Sequence, residues 1–183
     1  MTGRERLVAA ARGGPTDRVP VLVYPGTGAD AADALVVLDS DSVVTDEDQA
    51  VLVEVLSPYG QALDRGDDPA TAILEELVEE TRGAMRDALD AGADGVWYRL
   101  DGASGEGYAR YQGHDRTLLA EVADARLNVL FAVAPFDPAL LSDLPAHVLA
   151  WADATPSDAV RALRPGAQAS PDPASEIRLV TPA

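Results

Sequence analysis

Short apolar runs recur along this chain and set the limits on what it can fold into. They are VPVLVY (19–24), ALVVL (34–38), AVLVEVL (50–56), ADGVWYRL (93–100), LNVLFAV (127–133) and AHVLAW (146–151). Half-exposed strands alternate apolar with polar residues, whereas strands covered on both faces read as nearly unbroken apolar runs. Most of these runs are separated by stretches with helical spacing. Strands alternating with helices imply a parallel sheet, because each crossover lays its helix on a sheet face. Weaker strand signals at 167–169 and 177–181 bring the total to about eight. The pattern predicts a small (β/α)8 TIM-type barrel with trimmed helices, the first, second and seventh strands having the least helical cover. An open doubly wound parallel sheet is the alternative.

The longest helical signal covers 69–91. Asp68 stands at an N-cap position, Pro69 at the first helical position and Gly92 just past the end. Between them Ile73, Leu74, Leu77, Val78, Met85 and Ala88 recur at three and four residues and form one stripe. Shorter helices are predicted over 2–11, 114–124, 138–143 and 157–164. GASGEGYARYQG (102–113) reads as a glycine-rich loop, with Tyr108 and Tyr111 either anchoring it or forming a lid. With 183 residues and no linker or repeat, one domain is expected over 1–183.

Charge and missing residue types exclude whole classes of chemistry. Acidic residues outnumber basic ones 31 to 14, a net charge of -17. Such a surface repels phosphate backbones and anionic headgroups, so neither nucleic acid nor a membrane surface is an expected partner. The absence of cysteine removes disulfides, thiolate metal sites and a cysteine nucleophile. Every basic residue is arginine, which removes Schiff-base chemistry and a P-loop lysine. His114 and His147, far apart in sequence, are the only imidazoles, and no metal or cofactor is expected. No apolar signal core or membrane-length span stands out, so the expected location is the cytoplasm.

Parallel β/α architectures gather ligands at the carboxyl ends of their strands. The residues placed there are Tyr24, Asp39, Asp41, Tyr98, Arg99, Asp101, Trp151 and Asp153. Alternation along the fourth strand puts Trp97, Arg99 and Asp101 on one face, and Val96, Tyr98 and Leu100 on the other. An inward Arg99 has the fork geometry to clamp a carboxylate or phosphate, with Asp101 as its partner; an outward one ends the strand in a surface ion pair. Asp39 and Asp101 are the candidates for proton transfer. Asp39 and Asp41 read equally as part of a solvated acidic loop capping a helix. His114 fits a helix start and His147 a structural histidine.

The order of segments resembles the uroporphyrinogen decarboxylase family. TGRERLVAAARGGPTDRVPVLV (2–23) is similar to the family's opening helix, Gly-Pro break and first strand. VLVEVLSPYGQALDRG (51–66) resembles its third strand and following helix, and ALDAGADGVWYRLDGASG (88–105) its entry into the fourth. GHDRTLLAEV, RLNVLFAVAP and DLPAHVLAWADATPSDAVRAL follow in the family's order. The resemblance implies a barrel and a carboxy-lyase ancestry, yet its chemistry is not carried over. The family's Arg-Gln-Ala-Gly-Arg-Tyr substrate loop is replaced by Pro25-Gly26-Thr27-Gly28-Ala29-Asp30. LDSDSVV, with Asp39 and Asp41, stands where a catalytic aspartate is expected, and Asp64 where a tyrosine is. Phe131 and Val133 occupy the positions of the His-x-Cys metal ligands of related methyltransferases. The implied function is binding of a small organic ligand, with Tyr24, Tyr98, Arg99, Trp151 and Asp153 lining the site. The alternative is an active lyase or methyltransferase-related enzyme on a small carboxylic acid. A homodimer or larger assembly is the expected partner state, because thin helical cover leaves strand faces open.

Overall fold

Five of the apolar runs pair edge to edge, all in the same direction. The computed structural model describes residues 1–12, 14–15, 17, 21–23, 35–38, 48–69, 71–133, 135–136, 148–153, 167–169 and 176–179. Within these, β2 (Leu35–Leu38), β3 (Ala50–Leu56), β4 (Gly95–Asp101), β5 (Asn128–Val133) and β6 (Val148–Asp153) form a parallel sheet in the order β2-β3-β4-β5-β6. The register aligns Leu56 with Arg99, Arg99 with Phe131 and Phe131 with Trp151. One pleat further on, Asp101, Val133 and Asp153 lie in a row at the carboxyl edge.

The other three strands go elsewhere. β1 (Val21–Val23), β7 (Ala167–Ala169) and β8 (Glu176–Leu179) make a separate antiparallel sheet in the order β1-β8-β7. This overturns the expected TIM-type barrel, which needs all eight strands parallel in one closed sheet. The doubly wound alternative falls as well. Its strand order must reverse at a switch point, whereas the order here is consecutive. The chain is α/β, with an open parallel sheet wound in one direction and a small antiparallel sheet beside it in sequence.

Five helices stand among the described residues: α1 (Gly3–Ala11), α2 (Pro58–Asp64), α3 (Leu74–Asp90), α4 (Gly105–Ala109) and α5 (Gln112–Glu121). Local chemistry accounts for the start of α2 and the end of α3. Ser57 caps α2, its Oγ accepting the Gly60 N–H at 3.0 Å, and Pro58 takes the first helical position. The long helix begins at Leu74 instead of Pro69. The Asp68 carbonyl accepts the N–H groups of Thr71 and Ala72, both at 2.9 Å, closing an isolated turn before an extended Ile73. Its end falls where the glycine signal lies, with Gly92 at a φ of 98°. The stretch read as a glycine-rich loop contains α4. The helices expected at 138–143 and 157–164 lie outside the described residues.

Crossovers between consecutive parallel strands share one hand, so their helices collect on one face. On that face Val53, Val55, Val96, Tyr98, Leu100, Leu130 and Ala132 pack against Ala62 of α2, Leu77, Val78 and Met85 of α3, and Leu118 and Leu119 of α5. The opposite face buries Ala50, Leu52, Trp97, Val129 and Phe131, and Leu7 of α1 closes over this cluster. Both faces are apolar because both are covered. Each Val, Leu, Met or Phe among them, fully buried, contributes on the order of 1.5–3 kcal/mol.

The amino edge of the sheet is locked by charge and by one tight contact. Asp94, just before β4, is buried; its Oδ1 accepts from Arg4 at 2.7 Å and from Arg126 at 3.1 Å, and its Oδ2 from the Val51 N–H at 3.1 Å. Next to it, Gly95 passes so close to β5 that a Cβ built there would stand 1.6 Å from the Leu127 carbonyl oxygen. Backbone cannot yield that far without breaking the β4–β5 ladder. Gly95→Ala is therefore expected to destabilise the fold by about 3 kcal/mol or more in urea unfolding. Unfolding curves that superimpose on the wild type would show that β4 and β5 do not approach here.

Candidate functional site

Along β3, AVLVEVL contains a single charge, Glu54, in an otherwise apolar strand. Alternation puts Glu54 on the same sheet face as Leu52, and neighbouring Arg99 and Asp101 of β4 on that face with Trp97. Towards the amino ends this face is filled by apolar side chains and α1. Towards the carboxyl ends it turns charged. The Arg99 Nε donates to Asp101 Oδ1 at 3.0 Å, and its Nη1 donates to Glu54 Oε1 at 3.3 Å. The three side chains are 39% (Arg99), 27% (Asp101) and 32% (Glu54) exposed, so solvent reaches a row that is otherwise set into the sheet. Asp101, then Glu54, hold the guanidinium above its usual pKa and keep it charged. A guanidinium has five N–H donors, and Nη2 spends neither of its two on a described residue. Level with the row, Trp97 is the register partner of Glu54 and Phe131 that of Arg99, and their rings pack with centroids 5.2 Å apart.

Arg99 and Asp101 are thus brought together as partners, and Glu54 joins them. Tyr98 is a correction. Strand alternation turns it to the helix-covered face, where it is fully buried and out of reach of any ligand that meets Arg99. Trp151 and Asp153 belong to β6, aligned with Phe131 and Val133, and their side chains lie outside the described residues. So do Tyr24, Asp39, Asp41 and His147. The reason for placing Tyr24 at a shared strand end is removed, since β1 pairs in the other sheet. His114 lies in the first turn of α5 and is exposed.

The helix-covered face holds a second group of polar residues. Asp115 of α5, buried, accepts the Tyr98 hydroxyl at 2.5 Å on Oδ1 and the Tyr108 hydroxyl at 2.6 Å on Oδ2. Burial raises its pKa to about 6, against the opposing pull of the two tyrosine donors. The same burial, with the Asp115 charge beside them, pushes both phenols upward, so they remain donors. Tyr59 meets the rings of Tyr108 and Tyr111 edge-on at 5.4 and 5.1 Å, and the Tyr111 hydroxyl donates to the Pro69 carbonyl at 2.6 Å. Tyr108 and Tyr111 anchor the segment after β4 to the core. Asp115 carries a sequence signal: it stands three, four and seven residues before Leu118, Leu119 and Val122, on the buried stripe of its helix.

A groove of about 460 Å³ runs between α3 and α5, floored by Met85, Leu118 and Val122 and rimmed by Arg82, Arg86 and Glu121. Its rim charges are spent on one another. Arg82 bonds Glu79 and Glu121, and Arg86 lies 4.0 Å from Glu121. Among the described residues no group of three or more His, Cys, Asp or Glu is arranged to hold a metal ion, and no helix is long and apolar enough to cross a membrane. No family model, curated protein or solved structure matches the chain.

The raised Asp115 pKa has a defined sign. Its folded-state value of about 6 exceeds the ordinary 3.8, so the folded protein holds this proton more tightly than the unfolded chain does. The stabilisation is complete below pH 3.8 and lost as pH rises through about 6. Between pH 4 and 7 the wild type should therefore lose stability relative to Asp115→Asn, measured by urea unfolding at each pH. Parallel stability curves for the two proteins over that range would show that Asp115 does not titrate there.

Proposed function

We propose that this chain binds a small organic acid at the carboxyl ends of β3 and β4, with the Arg99 guanidinium as the anchor. The observation that carries the reading is the alignment of Arg99 by two carboxylates that leaves its Nη2 donors pointing to no described partner. Stability does not require this row. Exposed ion pairs contribute about 0–1 kcal/mol, and apolar replacement of a buried pair is often neutral or stabilising. The rest of the same face shows that apolar residues fit there. Three charges set into it, at the edge where parallel sheets gather ligands, are better explained by something they recognise. A guanidinium is planar and carries paired N–H donors that match the two oxygens of a carboxylate, and here its orientation is fixed beforehand.

Binding is favoured over turnover. The row contains no histidine, and the chain has neither cysteine nor lysine to act as nucleophile. The reading rests on the geometry of Arg99 and borrows nothing from the decarboxylase resemblance, whose substrate-loop arginines this chain lacks.

Thermal unfolding with acetate, lactate, succinate and alanine, each against sodium chloride of matched ionic strength, tests it. A ligand that binds only the folded state should raise Tm by about 3–5 °C at ten times its Kd. Arg99→Gln should weaken that ligand at least tenfold. Equal shifts in wild type and variant would remove Arg99 from the site. No shift with any of the four would remove the binding reading itself.

A further inference from the structure

The charge order of the row narrows the ligand class. Resting on the binding reading above, we propose that the ligand is a zwitterion of the amino-acid type, its carboxylate on Arg99 and its ammonium group beside Glu54. Arg99 stands between Asp101 and Glu54, bonded to both, so one positive charge faces two negative ones and the row carries a net charge of -1. A simple carboxylate docking on the guanidinium would bring a third negative charge against two already present. Like charges at such separations repel, and strongly so where the site is partly withdrawn from water. A ligand with its own positive charge avoids this. Its carboxylate completes the arginine fork, and its ammonium meets an acid already in place.

Glu54 is the acid suited to that role. Asp101 is engaged by Nε, which lies 3.0 Å from each of its carboxylate oxygens. Glu54 gives only Oε1 to Nη1, at the longer distance of 3.3 Å, and its Oε2 has no partner among the described residues. Both the unspent acceptor and the unspent Nη2 donors belong to side chains that reach solvent. A donor and an acceptor of opposite charge, held side by side, are complementary to a molecule carrying the reverse pair. An ammonium alone would meet the arginine, and a carboxylate alone would meet the acids. Only a molecule with both satisfies the row without leaving either charge opposed.

Four small compounds separate the possibilities: alanine, lactate, propionate and ethylamine. Calorimetric or NMR titration of the wild-type chain is expected to rank alanine first, at least tenfold tighter than propionate, lactate or ethylamine. Glu54→Gln removes one negative charge with little change of shape. It should weaken alanine and strengthen propionate, narrowing their ratio at least threefold. Propionate binding as tightly as alanine, or a ratio unchanged in Glu54→Gln, would overturn the zwitterion while leaving Arg99 as an acid-binding residue. Binding of none of the four would overturn both.

Discussion

The architecture depends on a carboxylate placed where water cannot reach it. Asp94, its side chain 1% exposed, collects Arg4 from α1, Arg126 from the turn before β5 and the Val51 N–H from β3. Four parts of the chain distant in sequence meet on one residue. A buried carboxylate left unpaired would cost several kcal/mol, so the fold is specified only when all of them arrive. The carboxyl end of the same strand inverts the arrangement. There one arginine meets two acids, the side chains reach solvent, and the Arg99 Nη2 and Glu54 Oε2 have no partner among the described residues. The proposed binding site rests on this contrast between a satisfied, buried cluster at one end and a part-exposed row at the other. The distinction does not rest on residue type, since both ends use the same arginines and aspartates.

Between those ends the sheet has to be apolar on both sides. Consecutive strand order sends the α2–α3 and α4–α5 crossovers to one face, which leaves the other to be covered by something that is not a crossover. Helix α1 takes part of that role: Leu7 seats on Leu52 and Trp97, its Arg4 locks onto Asp94, and Arg12 donates to the Ala125 carbonyl at 2.9 Å. Glu54, Arg99 and Asp101 lie on this same face and stay 32%, 39% and 27% exposed.

Much of the strand pattern was legible, and so was the parallel direction of β2 to β6, but not the antiparallel pairing of β1, β7 and β8. The eight strands among the described residues lie where the apolar runs and the two weaker signals put them, since burial writes itself into local composition. Pairing is a relation between segments, and run-counting does not contain it. A clue was present at the end of the chain, where only residues 170–175 separate β7 from β8. A parallel crossover needs about a dozen residues or more, so this spacing already requires an antiparallel pair. At the site, period-two alternation correctly joined Arg99 to Asp101 and should also have excluded Tyr98, which lies on the other side of the same strand. Glu54 was readable as a lone acid inside an apolar parallel strand, where charge is rarely tolerated without a partner. The turn at Asp68 that delays α3 to Leu74 was hidden, because Asp68, Pro69 and the apolar stripe all fit the earlier start.

The same electrostatic reasoning extends from the row to the whole surface. Among the described arginines, Arg4, Arg6, Arg65, Arg82, Arg99 and Arg126 are each joined to at least one acid. Asp17 and Glu121 are held below their usual pKa by such partners, Arg6 and Arg82. With 31 acids against 14 arginines, acids stay in excess even though single arginines, Arg82 and Arg99 among them, each meet two of them. They repel one another across the surface, and at low salt they set up a negative potential through which any ligand must approach. An anion faces that field before it faces Glu54 and Asp101. A molecule with no net charge crosses it without penalty and still presents a carboxylate to the Arg99 guanidinium, so the long-range field and the local charge order favour the same ligand class.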